Sequence, residues 1–133
     1  PNSQLLIVTT PQTAAAEVAE RSGMMAKQTR QNVAGVIENM SWMELPDGSK
    51  VEMFGSGGGM TVAMDLTRIL GYRVNVLGQV PMDVRLREGG DEGTPIVLTH
   101  PESTVAQTFT SIVDQLLQQR QSLVGQSLGI NPN

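Results

Sequence analysis

The chain has 133 residues, a length that fits one domain with one hydrophobic core, and its 39% apolar and 17% charged content is that of a globular protein. A net charge of −4 and a pI near 4.8 exclude the clustered basic footprint of a nucleic-acid binder. No apolar run reaches the ~18 residues a transmembrane helix needs, and the absence of cysteine excludes disulfides, thiolate metal ligands and a cysteine nucleophile. No leader peptide is visible, so the cytoplasm is the expected compartment. With four aromatic residues against eight methionines, the core is expected to rest on Val, Leu, Ile, Ala and Met.

In chain order, Gln4–Thr10 (QLLIVTT) is a short apolar run stopped by Pro11, which predicts a strand buried on both faces. Gln12 to about Arg30 predicts a helix with Ala14, Ala15, Val18, Ala19, Met24 and Met25 as its buried stripe, weakened at Gly23. Val33–Asn39 (VAGVIEN) predicts a second strand, completing a right-handed βαβ unit. Trp42–Leu45 and Lys50–Phe54 flank the turn Pro46-Asp47-Gly48-Ser49 and predict a hairpin. A glycine loop, Gly55–Gly59, follows, then a helix over Met60–Leu70 closed by Gly71. Val74–Val80 predicts a third strand ended by Pro81, and Asp83 a cap for a helical turn through Arg87. After a brief apolar run at Ile96–Leu98, Pro101 to about Leu117 predicts the last helix, and 118–133 a frayed or linker tail. Together these segments predict an α/β, partial Rossmann-like parallel sheet of three to four strands with flanking helices and a β-hairpin insertion. A doubly wound sheet usually has more strands, so the chain reads as the back half of something larger, with an open strand edge that favours self-association.

Three polar constellations follow strand C-terminal ends, the rim where open α/β sheets bind ligands: Thr9–Gln12, Glu38-Asn39 and Pro81-Met82-Asp83. Asn39 offers an amide and Asp83 an acceptor, which suit the edge of a purine; the same residues equally suit strand-end and helix-cap roles. The glycine loop carries no following lysine, since Met60 and Thr61 come next and the only lysines are Lys27 and Lys50; it is not a Walker A loop. His100, the single histidine, has no second ligand type nearby in sequence and reads as a solvated or satisfied side chain. The stretch LREGGDEG (Leu86–Gly93) reads as a solvated or contact loop, in which Glu88, Asp91 and Glu92 are the candidates for a hard cation.

The motifs IVTTPQ, GVIENMS, MFGSGGG and LGQVPMDVRLREGGDEGTPIV, in this order, resemble those of the Mrp/ApbC-type P-loop ATPases, iron–sulfur cluster carriers related to MinD/ParA and the nitrogenase iron protein. The resemblance runs from Leu5 to about Leu117. It implies a SIMIBI-class P-loop NTPase fold, an intact protein that binds ATP and Mg and forms a homodimer, and iron–sulfur recipient proteins as partners. The acidic balance, the lack of an 18-residue apolar run and a tail with one basic residue, Arg120, argue against a nucleic-acid or membrane partner. The family's GKGGVGKS-type loop and its DxPPG-type switch have no counterpart here, so the chain is expected to be the C-terminal half (1–117) of the ATPase domain, inactive alone. The resemblance puts the adenine-side contacts on Asn39, Pro81, Met82 and Asp83. It also puts a C-P-x-C cysteine pair between Ser41 and Phe54, where this sequence has none, which removes that route to a cluster. Two other functions stay open: a non-catalytic binding or scaffold module derived from the fold, and a MinD/ParA-type regulatory ATPase.

Overall fold

The computed structural model describes residues 3–12 and 15–124. β1 (Gln4–Thr9), α1 (Ala15–Thr29) and β2 (Asn32–Glu44) form a βαβ unit, with β1 and β2 parallel from Gln4↔Asn32 to Thr9↔Glu38. The long β2 turns back through residues 45–49 into β3 (Lys50–Val51), antiparallel at Met43↔Val51 and Glu44↔Lys50. α2 (Gly58–Leu70) then crosses to β4 (Val76–Met82), which runs parallel to β2 on the edge opposite β1. α3 (Val84–Glu92), α4 (Ile96–Thr99) and α5 (Thr104–Val124) complete the fold. β2 is therefore the central strand of a four-stranded mixed sheet.

Two parallel crossovers in the same direction put α1 and α2 on one face of the sheet. There Ile7, Val33 and Val36 meet Ala19 and Ala26 of α1 and Val62 and Leu66 of α2. The opposite face holds a second cluster in which Val80, Ile96 and Val105 pack with Ile37, Leu86 and Phe109. α5 lies across β4: Ile112 fills the space over Gly78, and the Gln115 side-chain amide donates to the Leu77 carbonyl at 2.7 Å. The hairpin is braced by Lys50, whose ammonium sits 4.2 Å from the Trp42 ring centroid. No helix among the described residues is long and apolar enough to cross a membrane.

Several expectations need correction. The sheet is mixed because the return arm of the hairpin joins it, and β3 is shorter than the predicted Lys50–Phe54. β1 is not buried on both faces: Ile7 and Thr9 point into the core, while Leu6 is 42% and Val8 59% exposed, because α5 covers β4 and leaves β1 bare. On α1 the buried stripe is Ala19, Gly23 and Ala26, with Met24 and Met25 exposed; Ala14 and the Ala15 side chain lie outside the described residues. Gly23 is there because α2 is close, since a Cβ would stand 2.8 Å from Ile69 Cγ2. β4 continues through Pro81, which an edge strand tolerates because the missing N–H has no ladder partner to lose. Leu86–Glu92 is helical rather than a loop, capped at Gly93 in the left-handed region (φ 72°), and Ile96–Thr99 is a helical turn. The last helix continues past Leu117 to Val124, where Gln119 donates to the Ala34 carbonyl at 3.3 Å; residues 125–133 lie outside the described residues.

Candidate functional site

All three parallel strands end on one rim, and the start of α2 is seated against it. Gly57 takes the left-handed conformation (φ 87°) that opens the helix, and the next two residues have no room for a side chain. A Cβ on Gly58 would stand 2.3 Å from the Thr10 carbonyl oxygen, and one on Gly59 2.8 Å from the Glu38 Cβ. The Gly59 amide donates to Glu38 Oε2 at 2.7 Å. The anion received by this helix N-terminus is thus the protein's own carboxylate, stabilised by the backbone donor and the helix dipole. A phosphate at the same place would meet that negative charge. In this lysine-free loop Gly58 and Gly59 are required by close packing on the rim, and Gly55 and Gly57 by their positive φ.

Glu38 is 2% exposed, and its Oε1 accepts from Ser41 Oγ at 2.8 Å and from Gln79 Nε2 at 3.1 Å. Sequence reasoning placed Glu38 on the rim without singling it out. The available signal was a charged residue inside an otherwise apolar strand.

Beside this node opens a groove of about 1250 Å³ between the ends of β2 and β4 and the starts of α3 and α5. Asn39 and Met40 line one wall, Pro81, Met82 and Asp83 another, and Glu102 to Thr104 the far end. The parallel register Asn39↔Val80 sets the two strand ends side by side. The four sequence-predicted adenine-side residues therefore border one groove. Asn39 Oδ1 accepts from the Met40 amide at 2.9 Å, while its NH₂ has no hydrogen-bond partner among the described residues and is available to a ligand. Met40 carries a positive φ of 56°, an uncommon conformation for a side-chain-bearing residue, which turns the chain at the groove's edge.

Asp83 is more committed. Its Oδ1 caps α3 by accepting from the Arg85 amide at 2.8 Å, and the Arg85 guanidinium grips both oxygens at 3.0 and 2.7 Å. The Arg85 hydrogen bond holds the Asp83 carboxyl below the usual carboxylate range against the opposing effect of burial; the backbone amide and the charges of Arg85 and His100 act in the same direction as the guanidinium. His100 is half-buried with Nδ1 3.0 Å from Thr99 Oγ1. Among the described residues no three His, Asp or Glu side chains gather to hold a metal ion, so Glu88, Asp91 and Glu92 do not form the cation cluster considered from the sequence.

The family model for ParA, described as NUBPL iron-transfer P-loop NTPase, matches residues 1–117. The chain belongs to this family. An iron–sulfur cluster carrier protein from Mycobacterium tuberculosis is 52% identical over 132 residues; the match takes in 99% of this chain but only 35% of that protein. The fold is similar to that of an Archaeoglobus fulgidus nucleotide-binding protein in complex with ADP (TM-score 0.53, 33% identity, 67% of this chain and 35% of that one). It also resembles Pyrococcus horikoshii MinD with Mg-ADP (TM-score 0.55, 24% identity, 90% of this chain and 42% of that one), a likeness of fold alone. The chain thus spans about a third of the length of the curated relatives it matches. As a cluster site, the hairpin does not fit: residues 41–54 supply the thioethers of Met43 and Met53 but no thiolate.

Proposed function

We propose that this chain is the C-terminal part of an Mrp-like iron–sulfur carrier ATPase and that its groove is the adenine side of the nucleotide site. The observation that carries this reading is the Asn39 side-chain NH₂, without a hydrogen-bond partner among the described residues, beside Pro81 and Met82 on the strand rim of a P-loop NTPase fold. Asn39 donates to a purine ring acceptor, Met82 and Pro81 give the ring an apolar wall, and Asp83 fixes the loop through its cap and its ion pair with Arg85. ATP with Mg supplies the phosphoryl chemistry in the intact protein, and the groups that would hold its phosphates are not in this sequence. Most nucleotide affinity comes from phosphate and metal contacts, so this chain alone neither holds ATP tightly nor hydrolyses it.

The intact protein works in the cytoplasm as a homodimer that passes a cluster, its cargo, to recipient proteins. With no cysteine in this sequence, a cluster would be held by groups outside the hairpin or handed between partners. The second reading is a non-catalytic scaffold that works by partner contact. Calorimetric titration of MgATP into the 133-residue chain and into the full-length gene product separates the two. Binding by the longer protein only is the expected result; micromolar binding by the chain itself, or none by either protein, overturns the proposal.

A further inference from the structure

We propose that Glu38 is a positioning residue that carries occupancy of the groove to the glycine loop and, through it, to the hairpin. The inference rests on the reading of the groove as the adenine side of a nucleotide site.

The Glu38 carboxylate joins three elements at once. It belongs to β2, it holds the first turn of α2 through the Gly59 amide at 2.7 Å, and it holds β4 through Gln79 at 3.1 Å. It is 2% exposed and forms no ion pair among the described residues. Holding a helix against a sheet does not require a charge, because apolar packing does it without the cost of desolvating an ion. What a short charged bridge adds is directional, distance-sensitive attachment. Its two ends lie at functionally different places. Asn39, the next residue, lines the groove, while Gly59 stands in the first turn of α2, directly after the glycine loop that leads back to the hairpin.

The linkage has no slack at either end. Gly58 already abuts the Thr10 carbonyl and Gly59 the Glu38 side chain, so a shift of the β2 end cannot be absorbed by sliding α2 closer. At the other end, Met40 at φ 56° and the Ser41 hydroxyl on Oε1 fix how the backbone around Asn39 is placed. A ligand that engages the Asn39 amide holds the end of β2 in place and so tightens the Glu38–Gly59 hydrogen bond, and the Gly59 N–H is the atom that reports it.

Amide hydrogen exchange in the full-length protein, with and without MgADP, tests this, alongside calorimetric Kd values. In the wild type MgADP is expected to slow exchange at Gly59 by about tenfold, in the ordinary range of site-to-site coupling. In Glu38→Gln, which keeps the shape but removes the charge, that response should fall to within about twofold while the ADP Kd changes by less than about threefold. A role in stability alone would leave the ligand-induced response intact. An equal response in both proteins, or none in a wild type that binds ADP, overturns the inference and leaves the nucleotide site standing. A wild type that binds no ADP overturns both. If E38Q does not fold, Gln79→Leu takes its place, since it cuts the tie to β4 and leaves the Gly59 bond; the response at Gly59 should then fall by a few fold, and an unchanged response counts against the proposal.

Discussion

Asp83 combines three roles in one side chain: last residue before α3, its N-cap, and the partner of Arg85. Replacing it with alanine should cost about 1 kcal/mol through the lost cap, and asparagine, which still caps, should cost less. Its folded-state pKa lies below the ordinary 3.8 because Arg85 bonds the charged form. A depressed carboxyl stabilises the fold fully above the unfolded pKa and loses that contribution as pH falls through the folded one. The stability gap between wild type and Asp83→Asn should therefore be constant near about pH 6 and shrink near about pH 3, as urea denaturation at the two values would record. A gap that widens in acid would contradict the assigned cause. Asp83 was legible as a cap because Asp between a strand's end and a helix's start commonly caps, although the sequence equally suited it to a purine edge. Glu38 was not singled out, because only the folded chain brings Gly59 and Gln79, both far away in sequence, to its carboxylate.

The element that most needs explaining is the glycine loop with the start of α2. Gly58 and Gly59 answer to the rim behind them, while Gly55 and Gly57 take positive φ in open space, so substitutions from Gly58 onward should rank by clearance. Gly58→Ala meets backbone at 2.3 Å, which cannot move aside, and should cost ~3 kcal/mol or prevent folding. Met60, two residues on and 57% exposed, should accept alanine within ~0.5 kcal/mol. Equal tolerance at both positions, read by thermal melts, would refute the packing role.

The same element marks how far sequence pattern reaches. The helix over Met60–Leu70 was readable from its period and its closing Gly71, but its true start at Gly58 depends on the rim. Gly89 and Gly90 look like loop formers, yet they sit inside α3, where the Asp83 cap and Gly93 set the bounds. Met24 and Met25 look like core on apolarity alone. The close approach of α2 selects the small residues Ala19, Gly23 and Ala26 instead.

At the scale of the molecule, β1 pairs only with β2 among the described residues and leaves Leu6 and Val8 uncovered on the α5 side. A strand with an unpaired edge and an apolar face is a template for association. The isolated 133-residue chain should therefore self-associate in sedimentation experiments, and Val8→Lys should shift it toward monomer; a monomeric wild-type chain would count against this. The parallel strands, the crossovers and the hairpin were all legible in the sequence, because apolar runs, turn residues and glycine caps mark them locally. The bare face of β1 was not, since which strand α5 covers depends on how Ile112 and Gln115 meet β4.

The central claim is that the ends of β2 and β4 read an adenine ring, and the most direct measurement is nucleotide discrimination. In the full-length protein, calorimetry should give Asn39→Ala about tenfold weaker MgADP binding, with affinity for MgGDP changed little, because adenine N1 accepts a hydrogen bond where guanine N1 donates one, so only the adenine contact loses its donor. Equal losses for both nucleotides, or no loss for either, would contradict the account.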